Sequence, residues 1–295
     1  MRVFVTGATG WVGSATVQDL IAAGHSVLGM ARSDEGMAAV TAAGATAHRG
    51  SLQDLDSLKA GVAQCDGVIH LAFSHDFANF AQNGLDEQHA IAALGEALDG
   101  TAKPLVATSG VALLTPGVLA TEDAQPRHTG DIPRNPEGAV AALVARGIKA
   151  TVVRLSPSVH GHGDHGFVPI LINIARQTGV AAYIGDGANR WPGVHRLDAA
   201  RLYRLALEHG AEDGPFHGVA EEGVPMRQIT EVIARRLNLP LKSISPDEAA
   251  GHFGWFARFA GIDAPASSAR TRARLGWTPT HPDLLADLDH PAYFS

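Results

Sequence analysis

Thr6-Gly7-Ala8-Thr9-Gly10-Trp11-Val12-Gly13 carries three glycines at a spacing that suits a diphosphate. Gly7 permits a tight turn out of a strand. Gly10 lets backbone N–H groups approach a phosphate, with the positive end of a helix dipole behind them. Gly13 lets that helix pack closely on the strand. Thr9, Trp11 and Val12 lie along the same contact. A glycine triplet alone marks many tight turns. Here it follows Val3–Val5, an apolar run suited to a buried parallel strand, and opens a helical pattern from Ser14 to Ala23. That context reads as a dinucleotide site.

A second group of residues would choose the nucleotide. A second strand, Ser26–Met30, ends at Ala31-Arg32-Ser33. An NAD site usually carries an acid there for the ribose 2′-hydroxyl. Arg32 can instead fork onto a 2′-phosphate, with Ser33 as a second donor, so NADP is favoured over NAD. A solvated surface arginine is the plainer alternative. Ser51 and Leu52 follow the third strand, where a loop can cover the adenine. Leu71, Ala72 and Phe73 follow the fourth, and the small Ala72 lets backbone pass close to the cofactor ribose. His70 reads as a packed core histidine.

A third group is rich in histidine and arginine: His75, His128, Arg134, His160, His162, Arg190, Trp191 and His195. A histidine can donate a proton near neutral pH. Alternating histidines in His160-Gly161-His162-Gly163-Asp164-His165 suggest a metal, yet a Gly-x-Gly-Asp turn explains the run as well, and no metal is assigned. Arg134 can grip a substrate oxygen, a cofactor phosphate or Glu137. His75, His162, Arg190, Trp191 and His195 are candidate substrate contacts. His128 sits in a Pro- and Gly-rich loop that suits a surface position.

The elements that must hold these residues alternate. Helical stretches run over Asp34–Ala43, Asp54–Ala63, Asp86–Leu98 and Asn135–Arg146. Further strands fall at Ala45–His48, Gly67–Ala72, Leu105–Thr108 and Ala150–Leu155. Such alternation predicts an α/β fold: a doubly wound parallel Rossmann sheet of about seven strands with right-handed crossovers. Residues 1–160 read as the dinucleotide-binding domain, with 181–210 returning to it. Residues 161–180 and 211–295 read as a small C-terminal substrate-binding lid. In that part, helices are expected at Phe167–Gln177, Asp198–Glu208 and Met226–Leu237, with a strand and turn at Tyr183–Gly187. Asn189–His195 looks short on regular structure. The aromatic stretch His252–Phe259 either lines a pocket or packs the small domain.

The chain has 295 residues, 45% hydrophobic and 18% charged, with a net charge of -7. That charge argues against non-specific nucleic-acid binding. Cys65 is the only cysteine, so no internal disulfide forms. No apolar run reaches transmembrane length, and the chain starts on a core strand rather than a signal peptide. A cytoplasmic protein is expected, with no membrane or nucleic-acid partner.

Several ordered blocks resemble the extended short-chain dehydrogenase/reductases, which include sugar-nucleotide epimerases, dehydratases and dihydroflavonol-type reductases. They are the glycine-rich block, His70-Leu71-Ala72, Thr108-Ser109-Gly110, Arg154-Leu155-Ser156-Pro157-Ser158-Val159-His160-Gly161, Val194-His195-Arg196-Leu197-Asp198-Ala199-Ala200 and Leu275-Gly276-Trp277-Thr278-Pro279. The resemblance implies cofactor contacts at Thr108 and Ser109 and a nicotinamide wall from Pro157 and Val159. It also implies a Tyr-x-x-x-Lys pair, in which tyrosine exchanges a proton with the substrate oxygen and lysine lowers its pKa. Tyr183, Tyr203 and Tyr293 are the only tyrosines, and none has a lysine four residues on. The interval from Val111 to Glu137, where the pair belongs, holds no tyrosine, and Pro133 and Pro136 suggest a late helix start. Ser109 lies one place early for the family's catalytic serine. His160 and Ser109 are therefore the candidate proton donors, with loop anchoring the alternative for His160.

The leading expectation is an NADP-dependent oxidoreductase that transfers hydride to or from a small carbonyl-like substrate with a non-tyrosine proton donor. The alternatives are an epimerase, dehydratase or isomerase using the cofactor transiently, and a non-catalytic NADP-binding redox sensor. The resemblance also implies a homodimer through the helices Asp86–Leu98 and Asn135–Arg146.

Overall fold

The computed structural model describes residues 1–76, 79–127 and 134–295. Six strands alternate with helices through the first half: β1 Arg2–Thr6, β2 Ser26–Ala31, β3 Thr46–Arg49, β4 Gly67–His70, β5 Leu105–Gly110 and β6 Ala150–Leu155. The helices between them are α1 Trp11–Ala22, α2 Asp34–Ala42, α3 Leu55–Ala63, α4 Phe80–Leu98 and α5 Pro136–Val144. Then come β7 Ser158–His160, α6 Phe167–Thr178, β8 Ala181–Ile184, β9 Arg190–His195, α7 Arg196–Leu205, β10 Phe216–Gly218, β11 Glu221–Pro225, α8 Met226–Leu237, β12 Leu241–Ile244 and α9 Pro246–Phe253. Shorter helical pieces follow, among them Ala257–Ala260, Ala269–Leu275 and Leu284–Leu288.

Seven strands form one all-parallel sheet in the order β10-β6-β5-β4-β1-β2-β3. Strand alternation sends neighbouring side chains to opposite faces. Val3, Val5, Ile69 and Val106 pack with Val17 and Leu20 of α1 and Leu202 of α7. Phe4, Val68, Leu105 and Ala107 pack on the other face with Leu58 of α3, Ile91 and Leu94 of α4 and Leu143 of α5. Cys65 is buried in that second layer. Each such aliphatic side chain contributes roughly 1.5–3 kcal/mol of burial. Two helix layers on an all-parallel sheet are the doubly wound arrangement read from the sequence.

Some element bounds differ from that reading, each for a local reason. α1 begins at Trp11 rather than Ser14, because Gly10 sits extended as its N-cap (φ -74°, ψ 174°) and the chain turns helical at once. α4 begins at Phe80, ahead of Asp86. α5 begins at Pro136, where the Asn135 side chain accepts the Gly138 N–H and proline suits the first turn. Asn189–His195, expected to be irregular, contains β9, which lies between β11 and β7. Pro192 brings no N–H to that ladder. β11 shifts register between Glu221 and Val224, opposite the proline, and β7 joins only from Gly193 onward. The strand thus tolerates a residue that would break a regular one.

The rest of the chain builds a second core beside the carboxyl ends of the main strands. α6, α8 and α9 pack with the parallel pair β12-β8 around Leu171, Ile172, Ile229, Ile233 and Phe253. Phe256 is buried there against Phe167 and Trp191, so the 252–259 stretch packs this core, while Trp255 stays exposed. Of residues 181–210, α7 lies on the main sheet's helix layer, but β8 pairs with β12 away from it. The seventh main strand comes later, at 216–218. Among the described residues no helix is long and apolar enough to cross a membrane.

Candidate active site

The glycine-rich turn is a cradle closed to side chains. Gly7 has φ +68°, and a Cβ there would lie 2.8 Å from the Ala72 nitrogen. A Cβ on Gly13 would lie 1.9 Å from the Gly7 oxygen. Only glycine lets strand, turn and helix meet this closely. Thr6 ties the turn to the end of β4: its hydroxyl oxygen accepts the N–H groups of Leu71 (3.2 Å) and Ala72 (3.3 Å). With its lone pairs used, the hydroxyl donates to His70 Nδ1 at 2.8 Å. Burial pushes the His70 pKa down to about 4, with Arg134 adding to the shift, so this histidine is a neutral core group.

Two basic residues meet where the adenosine half of a dinucleotide would lie. Arg32 is exposed at the end of β2, and the Ser33 hydroxyl accepts the Gly36 N–H, which starts α2. Arg49 stands in register with Ala31 on the adjacent strand and donates from Nη1 to the Arg32 carbonyl at 3.1 Å. It also pairs with Asp34. Sequence alone reads Arg49 only as the head of the Arg49–Leu52 loop that can cover the adenine, not as a partner of Arg32, although its place at a parallel strand end was the usable signal. Ser51 accepts the Asp54 N–H, and Ser51 and Leu52 lie half-buried in the loop beyond β3.

At the other end, Thr108 donates to the His70 carbonyl and meets the Tyr203 hydroxyl, both at 2.8 Å. Having spent its own proton, Thr108 accepts from Tyr203, whose pKa burial raises. Ser109 is buried and donates to Glu137 at 2.7 Å. Glu137 in turn takes two N–H groups from buried Arg154, at 2.9 and 2.6 Å. Arg154 also donates to the Glu122 carbonyl and meets His217, which burial holds down to about 4. Ser109 is thus a bound member of an internal network, its proton directed at a carboxylate.

Arg134 does not pair with Glu137. Its Nε and Nη2 donate to the two oxygens of Glu87 at 2.8 and 2.6 Å, and Nη2 reaches the Thr108 carbonyl at 3.3 Å. Glu87 is only 1% exposed. The guanidinium carbon lies 4.2 Å over the Phe73 ring, which His75 meets edge-on. Burial, then Arg134 and His165, hold the His75 pKa down. Among the described residues Arg134 Nη1 has no hydrogen-bond partner.

His160 is the main correction. It is fully buried, with Nδ1 2.9 Å from Asp287 and Nε2 3.9 Å from Glu221. Alternation along β7 turns half-buried Pro157 and Val159 one way and buried Ser158 and His160 the other. The residue anchors its loop and offers no exposed atom to a substrate. Burial pushes Asp287 up, but hydrogen bonds from His160 and Tyr293 outweigh it and hold the carboxyl below its usual range. His162 is 56% exposed, stacks on His290 and lies 3.5 Å from the second oxygen of Asp287, so it shares that carboxylate with His160, while His165 turns away, edge-on to Trp11.

The remaining lid candidates divide as well. Arg190 forks onto Asp263, with both contacts at 2.9 Å. Trp191 is 0% exposed and donates to the Phe259 carbonyl, so it is core rather than a substrate contact. Half-buried His195 accepts the Leu197 N–H as the N-cap of α7 and stacks on His281. Burial first, then His160 and His281, bring its pKa down to about 4. His195, Asp198 and His281 bring ligand atoms within 4.8 Å of one another. Asp198, however, is spent on the N–H groups of Thr280 and His281 and on the His281 ring. His128 and Pro133 lie outside the described residues.

A profile of the NAD dependent epimerase/dehydratase family matches residues 3–97. An uncharacterised protein of Schizosaccharomyces pombe is 48% identical over 301 residues, covering 100% of both chains. The 4-hydroxy-2-methyl-3-oxo-4-farnesyl-3,4-dihydroquinoline-1-oxide ketoreductase of Stigmatella aurantiaca is 31% identical over 293 residues, 90% of this chain and 84% of its own. The crystal structure of UDP-glucose 4-epimerase from Thermotoga maritima has a TM-score of 0.76 at 20% identity, covering 100% of this chain and 98% of that one, a likeness of fold. The chain belongs to the NAD-dependent epimerase/dehydratase family of extended short-chain dehydrogenase/reductases, whose members are NAD(P)-dependent oxidoreductases and epimerases.

Proposed function

We propose that this protein is an NADP-dependent reductase of small carbonyl-like substrates in which Arg134 polarises the reacting oxygen. The observation that carries the reading is Arg134 itself. Its guanidinium is gripped by buried Glu87 and laid over Phe73 at the carboxyl ends of β4 and β5, and among the described residues Nη1 is unspent. Ligands of doubly wound sheets bind in this crevice. The residue precedes the Asn135 cap of α5 and falls within the interval where the resembled family carries its tyrosine and lysine.

The turn through Gly7 and Gly13, where a Cβ would strike backbone, keeps the start of α1 close against the strand ends, which fits a dinucleotide diphosphate. Arg32, Ser33 and Arg49 offer donors to a 2′-phosphate, the basis for preferring NADP. Val159 and Pro157 would wall the nicotinamide. When bound, the cofactor supplies the hydride. Arg134 then holds the substrate oxygen and stabilises the charge that gathers there, as a preorganised donor in a partly dry site. Neither His160 nor Ser109 is placed to give the proton, so water at the crevice mouth provides it. α4 and α5 pack together and leave Leu85 and Val144 exposed, which supports a homodimer through these helices.

The test is NADPH and NADH oxidation with a panel of ketones, aldehydes and imines. Consumption of NADPH with at least one class is expected. Tight NADPH binding without turnover of any substrate would make the protein a sensor, and conversion of a sugar nucleotide without net oxidation would make it an epimerase.

A further inference from the structure

Arg196 opens α7, yet its side chain lies across the start of α1. Its guanidinium carbon is 4.1 Å from the centre of the Trp11 ring. Trp11 is the first residue of α1, directly after Gly10. The ring is held in place: its N–H donates to the Val159 carbonyl at 2.7 Å, and His165 meets it edge-on at 5.6 Å. On the other side, a Cβ at Gly161 would lie 3.1 Å from Arg196 Cγ and 3.2 Å from Cδ. The arginine stem therefore occupies a slot between the Trp11 ring and a glycine that leaves room for it.

Among the described residues the Arg196 guanidinium has no carboxylate and no hydrogen-bond acceptor. Arg134, Arg154 and Arg204, on the same domain, are each fastened to carboxylates. Burial without a counter-charge holds the Arg196 pKa down. A planar fork with its five donors unspent suits a phosphate geometrically. Trp11 and Val12 are in the first turn of α1, where helix geometry leaves backbone N–H groups without an intrahelical acceptor, in the turn that the family uses for its dinucleotide.

We propose that Arg196 is a further cofactor-binding residue, a clamp that closes on the diphosphate of the dinucleotide from the α7 side and faces the glycine-rich turn across it. The inference rests on the dinucleotide reading above. It is independent of the choice between NAD and NADP, because both share the diphosphate. Among the described residues of the first half of the chain, Arg32 and Arg49 stand at the far, adenosine end, and Arg134 is fastened to Glu87.

Calorimetric titration of the full chain tests it, with NADPH, NADH and adenosine 2′-monophosphate as probes. Arg196→Met keeps the stem on the Trp11 ring and removes the fork. It is expected to weaken NADPH and NADH alike, by about 20-fold each, the scale of a charge-assisted fork. Adenosine 2′-monophosphate, which has no diphosphate, should bind as to the wild type. Arg196→Lys should recover part of the loss for both dinucleotides. Unchanged dinucleotide affinity in Arg196→Met overturns the proposal. So does an equal loss for adenosine 2′-monophosphate, which would mark general damage, or a rise in substrate KM alone, which would move the clamp to the substrate. A wild-type protein that binds no dinucleotide sinks the cofactor reading itself, and this inference with it.

Discussion

Glu87→Gln keeps the shape of the buried side chain and removes its charge. In the wild type both carboxylate oxygens accept from Arg134, at 2.8 and 2.6 Å, with Glu87 1% exposed. Glutamine retains one acceptor and turns an NH2 group toward Arg134, donor against donor. Breaking a buried pair in this way costs about 3 kcal/mol. At about 2–4 °C per kcal/mol, the melting temperature should fall by roughly 6–12 °C. Arg134 would also lose its fixed pose above Phe73, and a displacement of about 1 Å costs on the order of 100-fold in kcat. NADPH affinity should fall much less than kcat, since the glycine-rich turn and the Arg32 end lie away from the pair, although Arg134 itself touches Phe73 and the Thr108 carbonyl at the ends of β4 and β5. Burial raises the Glu87 pKa above 4.5 in spite of Arg134, so protonation on the acid side should mimic the substitution. Wild-type kcat is expected to fall along an acid limb that begins above pH 4.5, and Glu87→Gln should lack that limb. Thermal melts, NADPH titration and a pH profile of kcat supply the readouts. A lower melting temperature with kcat and its pH profile unchanged would reduce the pair to a structural salt bridge and refute Arg134 as the polarising group.

Two other outcomes are expected. Arg32→Asp should weaken NADPH by about 100-fold and NADH by much less, because the 2′-phosphate loses a fork and meets a like charge; equal losses by calorimetry would count against NADP preference. Asp287→Asn should lower the melting temperature at neutral pH. The Asp287 carboxyl titrates below its ordinary 3.8, so its contribution is complete above that value and fades as pH falls below it. The gap between variant and wild type should close in strong acid, and a gap independent of pH would assign the loss to packing.

The parallel sheet could be read from the chain because its signals are local. Most strands from Val3 to Leu155 are short apolar runs, the edge strand Thr46–Arg49 excepted, and each crossover carries its own helical period. The glycine motif is local too, since Gly10 and Gly13 both close on the Gly7 carbonyl; only the approach of Gly7 to Ala72 reaches across the sheet. The site chemistry was only partly legible. Arg134 and His160 stood out by type, but their partners Glu87 and Asp287 lie 47 and 127 residues away. No periodicity links such pairs, and the partner decides whether a polar residue faces the crevice or is sealed in. Trp191 illustrates the same gap: an aromatic in a Pro-Gly stretch resembles a surface contact until β11 and β7 pair on either side of its strand. β10, three residues long, gave too short a pattern to claim as the seventh strand.

Cys65 has a practical consequence. A thiol reacts as its thiolate, and burial pushes this one up to about 11, so at neutral pH it is both uncharged and out of reach of alkylating reagents. The native chain is therefore almost silent toward maleimide dyes and spin labels. One cysteine introduced at exposed Glu35 on the nucleotide side, and another at exposed Leu241 on the small domain, would carry a label pair without first removing the native residue. Distances between the two labels could then be followed as nucleotide is added, giving a direct ruler across the crevice in solution.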